Sequence, residues 1–378
     1  MTKTLVPTTT VNKGSVNLTE ASTQWRNRPA DERFETLSAL RTAVNNRRMR
    51  SRSVDIDRND IHVEGRENGG IVVNSKIAPC APSHWAFGQL CQAAKLNGVT
   101  APANYLRQLP TPLAVSCLNE GLRSGDREAH KFMTITNPEC TTSTLQAVTS
   151  TTYGRIWDAD VVDSVSRIAD RTAGKFFNPK DWSGKPSGLY ASDHDVFMFM
   201  IDGGSIVDAG PRAQLNRGFF TWNSETGAKT FGLCTFLFNM VCGNHIIWGA
   251  QDINRLVIRH TSGGPYRFDS QAAPALKAYV DASAQPIADA VKRAQNLMLP
   301  DYSTDDRILF DWSAKSGAKL TRSELAEAVR FAKSEEGDCR TVWQLVQGAT
   351  AYARGFDFID ARVDLETRAS KLLNLAAN

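Results

Sequence analysis

Between Thr23 and Arg52 the apolar residues Trp25, Phe34, Leu37, Leu40 and Val44 recur at three- and four-residue steps, which predicts a helix; Pro29 ahead of Asp31 and Glu32 suits its start. From Val54 to Val73 the pattern alternates around Gly65 and Gly69-Gly70. That predicts a hairpin with Ile56, Ile61 and Val63 on one arm and Ile71 and Val73 on the other. Helical spacing returns over Ser83–Leu96, with Ser83 as N-cap and Asn97-Gly98 as terminator, then over 102–109 and 113–122. Strands are expected at 132–135 and 145–150, and a helix at 160–169.

The centre reads differently. Asp195–Ile201 (DVFMFMI) is apolar on both faces, so it predicts a buried strand, with Gly203-Gly204 as its turn. Arg217–Trp222 is the returning strand, and Asn223–Gly227 a turn into a helix over 228–242, apolar all round. A last strand is expected at 255–260. From Gln271 onward the spacing is helical over 271–297, 322–334, 340–354 and 361–376. The expected class is therefore α+β: a central mixed or antiparallel sheet, a β-hairpin followed by a buried helix, and a helical C-terminal region. Three parts follow: a Thr/Ser/Asn-rich tail over 1–22, a core domain over 23–270, and helices over 271–378 packed on that core.

Composition narrows the role more than it names it. The chain has 378 residues with 44 Lys+Arg against 40 Asp+Glu, a net +4 that leaves any polyanion binding to local patches. No run reaches the ~20 apolar residues of a membrane helix, and the N-terminus lacks a signal-type apolar core. Seven scattered cysteines without a C-x-x-C pair read as reduced thiols; Cys234 and Cys242 read as small core residues. A soluble intracellular protein is expected. Phosphate-loop, dinucleotide, zincin and nucleophile-elbow motifs are all missing from the sequence, so no cofactor, resident metal or catalytic residue is expected.

Two constellations remain. In the polar-aromatic block 193–268, His245 or His260 with Glu225 or Asp195 reads either as an acid–base or metal site, or as strand caps and charge pairs. The other is a basic surface interleaved with aromatics, the makeup that holds single strands by phosphate contact and base stacking. Arg217, Lys229, Arg255 and Arg259 would take phosphates, and Phe220 and Trp222 would receive bases; Tyr153, Arg155 and Trp157 have the same makeup. Arg41, Arg47, Arg48, Arg50 and Arg52, with no acid between them, read equally as a solvated helix face or a phosphate-binding arm, of which Arg47, Arg48 and Arg50 are the candidates.

The segments HWAFGQLCQAAKLNGVTAPANYLRQLP (84–110), LQAVTSTTYGRIWDADVV (145–162), GFFTWNSETGAKTFGLCTFLFNMVCGNHIIWG (218–249), IRHTSG (258–263) and TVWQLVQGATAYAR (341–354) resemble the phage- and plasmid-encoded family catalogued as domain of unknown function 932. The resemblance implies a mobile-element protein in the cytoplasm of a bacterial host. The expected hairpin-then-helix order is similar to RecT/Redβ-type single-strand annealing proteins, which assemble into rings or filaments. The resulting expectation is a non-enzymatic, homo-oligomeric protein that binds single-stranded DNA in annealing or recombination. The alternatives are a protein-interaction module that modulates a host factor, and a hydrolase or nuclease built on His245, His260, Glu225 and Asp195.

Overall fold

A computed structural model of the chain describes residues 24–124, 129–136, 142–171, 176–180, 184, 187–208, 214–239, 244–246, 256–281 and 285–377. The chain forms two compact units, residues 1–29 with 50–151 and residues 30–49 with 152–378. The expected tail over 1–22 lies outside the described residues.

In the first unit a six-stranded sheet runs in the order Ser51–Asp57, Ala129–Ile135, Ser143–Ser150, Cys80–Pro82, Ile71–Asn74, His62–Gly65. Its Cys80–Pro82 strand pairs parallel with Ser143–Ser150, and the other pairings are antiparallel. The predicted hairpin is half right: Val63 lies opposite Val73, but Ile56 belongs to a strand that pairs with 129–135. Helices His84–Ala93 and Thr111–Arg123 bury Phe87, Leu90 and Leu118 with Ile71 and Phe132. Ser83 caps the first of them, its hydroxyl accepting the Ala86 N–H at 3.1 Å. Asn97 and Gly98, both at positive φ, do not end that helix. They form the two-residue turn joining Lys95–Leu96 to Val99–Thr100, a geometry that Asn-Gly favours because neither residue is strained there.

In the second unit the sheet is antiparallel, in the order Glu32–Arg33, Leu189–Ala191, Val196–Asp208, Gln214–Asn223, Phe231–Asn239. Asn244–Ile246 and Leu256–Ile258 pair with the two ends of Phe231–Asn239. The expected helix over 228–242 is thus a strand where it is described. A short run that is apolar on every side looks the same to periodicity whether it is a buried helix or a strand covered on both faces, and the turn at 223–227 delivers it antiparallel to its neighbour. Gly203-Gly204 is not a turn either, because the strand continues to Asp208 through a register shift between Ile201 and Ile206.

Both faces of this sheet are covered. Val196, Met198, Met200 and Phe219 pack with Leu40 and Val44 of helix Leu37–Arg50 and with Val162 and Val165 of helix Asp158–Arg171. On the other face Phe197, Phe199, Phe220, Phe236 and Phe238 meet Ile359 and Val363 of helix Ile359–Ser370. Leu215, Leu237 and Ile246 share one core with Trp343 and Val346 of helix Val342–Ala353, so the C-terminal helices pack on this sheet. They do so within one unit. The expected core domain over 23–270 is divided instead, since residues 50–151 close on a core of their own.

Candidate functional site

The register of the second sheet fixes which loops meet. Val196 lies opposite Asn223, Trp222 opposite Gly232, and Phe231 opposite Ile258. Segments 192–195, 223–229 and 259–261 therefore share one end of the sheet, and residues 153–158 join them. Three of the quoted segments, YGRIWDAD, TWNSETGAK and IRHTSG, converge there from distant parts of the chain.

Their polar groups bind one another. The Asn223 amide donates to the Ile156 carbonyl at 2.9 Å and to Asp158 Oδ1 at 2.7 Å, and the Asp158 N–H donates to Glu225 Oε2 at 3.1 Å. Tyr153 donates its hydroxyl to the Ser224 carbonyl at 3.0 Å, while Ser224 and Thr226 donate theirs to the His194 carbonyl at 2.6 and 2.9 Å. Arg47 reaches across to pair with Asp158, and with Glu225 at 3.1 Å. Burial, and next to it the Glu225 charge, hold the Asp158 carboxyl well above the ordinary carboxylate range, against the pull of Arg47 and Asn223.

Beside the network runs a ladder of flat groups. The Arg48 guanidinium lies 3.7 Å from the centre of the Trp157 ring, and Arg155 lies 5.4 Å from Trp157 and 5.3 Å from Tyr153. Tyr153 stacks on His260 at 5.1 Å and 8°. Arg155 donates to the Glu225 carbonyl, while its Nε and Nη2 have no hydrogen-bond partner among the described residues. His260 Nδ1 accepts the Ile156 N–H at 3.3 Å, which puts the proton of the neutral ring on Nε2.

Burial, then the Arg155 charge, depress the His260 pKa to about 4 from 6.5. The unfolded chain therefore takes up the proton first. His260 contributes about 3 kcal/mol, present in full above about pH 6.5 and lost as pH falls toward 4. The expected result is a melting temperature that drops between pH 7 and pH 4.5 in the native protein and drops less in His260→Phe, read by circular dichroism at both pH values.

At the start of strand Val196–Asp208 stands a second cluster. His194 Nδ1 is 2.6 Å from Asp193 Oδ1, and its Nε2 is 3.4 Å from Asp195 Oδ2 and 3.7 Å from Asp360 Oδ2. Burial opposes charge on the ring, but the bonds to Asp193 and Asp360 and the Asp195 charge lift its pKa to about 9. Ser192 bonds Asp195 Oδ1 and also receives the N–H groups of His194 and Asp195 at 3.1 and 3.0 Å, which fixes the loop.

The predicted basic-aromatic surface is only partly assembled. Phe220, 2% exposed, stacks on Phe199 at 4.3 Å; strand alternation sends it into the aromatic core, so it receives no base. Arg217, 4% exposed, sits on the opposite, equally covered face and reaches no solvent phosphate. Arg47 is neutralised by Asp158 and Glu225, which removes it from a phosphate arm. Lys229 is half-buried, 5.8 Å from the Phe197 ring, and Trp222 is half-buried beside Phe220. Arg259 is exposed next to Arg267, whose guanidinium bonds the Arg259 carbonyl and Thr261. Arg255 lies outside the described residues. Arg50 is exposed and falls in the first unit.

The histidines separate too. The backbone of His245 pairs with Phe238, whereas His260 follows the strand that pairs with Phe231, so at about 3.3 Å per residue the two stand roughly 25–30 Å apart along the sheet. Glu225, His260 and Asp195 share the loop end, but the expected four-residue hydrolase set does not converge.

Sequence reasoning missed Asp158 and Asp360. Asp158 reads as ordinary first-turn acidity in WDAD, and Asp360 as one of many helix-surface charges. The Asp193-His194-Asp195 triplet, directly ahead of a wholly apolar strand, was a legible signal for the second cluster. Among the described residues no helix is long and apolar enough to cross a membrane. No family model, curated protein or solved structure matches the chain.

Proposed function

We propose that the chain is a non-enzymatic nucleic-acid-binding protein of a mobile element, which holds single-stranded DNA by its phosphates and serves annealing or recombination as a homo-oligomer. The observation that carries this reading is Arg48. Trp157 fixes its guanidinium plane, yet none of its donors has a hydrogen-bond partner among the described residues. A planar fork with a settled orientation and unused donors suits a phosphate, because little side-chain entropy is lost on contact. Arg155 behind Trp157, and Arg259 and Arg267 on the neighbouring loop, add positive charge, while Arg47 already answers the buried acids. Recognition rests on charge, since the rings expected to stack bases lie in the core or under arginine. The resemblance to the 932 family supplies the mobile-element context. The hairpin-then-helix order behind the annealing-protein analogy is a strand meander here, so the analogy adds no support.

Fluorescence anisotropy with a labelled thymidine oligonucleotide, at two salt concentrations, tests the reading. Affinity is expected to fall with salt at a log–log slope of about −0.7 per neutralised phosphate. Arg48→Ala is expected to weaken binding about tenfold and to make the slope shallower by about 0.7, one contact. Absent or salt-independent binding overturns the proposal.

A second reading, the protein-interaction module, is favoured by one feature of the first unit. A groove of about 990 Å³ is walled by Leu96, Val99, Tyr105 and Leu106, and Val99 is 70% and Tyr105 63% exposed. Exposed apolar side chains gathered along one groove suit contact with another protein's apolar segment. Val99→Glu, which leaves the basic loops untouched, separates the readings: loss of a host partner with DNA binding intact favours the second.

A further inference from the structure

We propose that His194, Asp195 and Asp360 form a binding site for one first-row divalent cation of zinc or manganese type. Nothing in this inference depends on the nucleic-acid reading. Ligand atoms of the three residues lie within 4.8 Å of one another. Metal–ligand bonds of about 2.0–2.1 Å set the ligand atoms of a tetrahedral centre about 3.4 Å apart. His194 Nε2 and Asp195 Oδ2, at 3.4 Å, already have that spacing, and Nε2 to Asp360 Oδ2, at 3.7 Å, is close to it.

Two independent features point to a ligand rather than to a chance meeting of acids. Asp195 is wholly buried, and its Oδ2, the atom turned to His194 Nε2, accepts no hydrogen bond among the described residues. Its other oxygen is engaged by Ser192, so the carboxylate cannot turn to satisfy Oδ2. An acceptor left so in a protein interior costs free energy that a cation would recover. The second feature is Asp193, whose carboxylate holds His194 Nδ1 at 2.6 Å. That contact holds the ring through Nδ1 and turns Nε2 toward Asp195 and Asp360, where a cation would bind in place of the Nε2 proton, the carboxylate–histidine arrangement that orients metal-bound imidazoles.

The charge count agrees. Three carboxylates surround one imidazole, with Lys229 the further cation acting on Asp195. An imidazole with two carboxylates suits borderline cations, whereas calcium takes six to eight oxygens. Asp360, in the first turn of helix Ile359–Ser370, has 22% side-chain exposure and forms the solvent side, where a bound cation keeps water.

Zinc chloride titrated by calorimetry into the full-length chain, after EDTA treatment and dialysis, tests the site; a cobalt titration followed by visible absorption reports the coordination geometry. One equivalent is expected to bind, with the absorption bands of four- or five-coordinate cobalt. Asp360→Asn and His194→Gln are each expected to weaken zinc binding at least tenfold, whereas Asp364→Asn, one turn along the same helix, leaves it unchanged. Because Asp360 is partly exposed, Asp360→Asn should melt within a few degrees of the native protein in EDTA, which separates ligand loss from misfolding. No binding, or binding that Asp360→Asn and His194→Gln leave intact, overturns the site: the His194 proton then serves as the counter-ion of a purely structural cluster.

Discussion

Arg47→Met is expected to destabilise the second unit by about 3–5 kcal/mol, the usual loss when one partner of a buried ion pair is removed. Asp158 and Glu225 are almost wholly buried, and Arg47, 18% exposed, is the cation both of them reach. Methionine supplies comparable bulk but no charge, so the two acids face each other in a poor dielectric with their counter-charge gone. The pH dependence identifies this cause. A carboxyl whose folded pKa is raised contributes stability that is full below its unfolded pKa and fades as pH rises through the folded one. Arg47 counters that rise in Asp158, so its removal extends the window upward. The loss should be smaller at pH 5 than at pH 8, and adding Asp158→Asn with Glu225→Gln should recover most of it. Urea unfolding at both pH values, with hydrogen exchange over residues 37–50, 153–162 and 221–230, reads the effect. Equal losses at the two pH values would assign it to packing instead.

The same residue shows where sequence reading stops. Arg41, Arg47, Arg48, Arg50 and Arg52 look like one basic run, but a helix turns successive residues through about 100°. Arg41 meets Asp163, Arg47 meets Asp158, and Arg48 meets Trp157. These partners lie more than a hundred positions downstream, which no local pattern records. By contrast, features written in neighbouring residues were legible: the Ser83 cap, the all-apolar strand after Asp195, and the C-terminal helices that Thr321 with Glu324 and Thr341 with Gln344 open by capping boxes. Phe220 marks the middle case. The sequence placed it in a strand, but whether its face of that strand meets water depends on Ile359 and Val363, in a helix that begins over 130 residues later.

Gly154→Ala is expected to cost about 3 kcal/mol and to displace the loops at this end of the sheet with it. A Cβ at Gly154 would overlap the Thr261 carbonyl and press on Pro265 Cδ at 3.0 Å. The first obstruction is backbone, so no rotamer change relieves it; overpacking of this kind typically costs 1–3 kcal/mol, and more where neither chain can yield. Here both are tied. The Gly154 N–H donates to the His260 carbonyl at 3.1 Å, and the rings on either side, Tyr153 and His260, are stacked. Parting the loops stretches that bond, opens the stack and shifts Arg155 and Trp157, on which the plane of Arg48 rests. If Arg48 is the phosphate fork, Gly154→Ala should therefore weaken single-stranded DNA binding nearly as much as Arg48→Ala, with no charge removed. Gly263→Ala is the control: its Cβ would meet Arg267 Nη1, the far end of a flexible side chain, at 3.1 Å. That variant should stay within about 0.5 kcal/mol of the native protein. Denaturant melts and oligonucleotide anisotropy on the two alanine variants decide the matter. A Gly154→Ala protein as stable as Gly263→Ala would show that the two loops are not locked together, and a destabilised one that binds DNA normally would take the fork away from this end of the sheet.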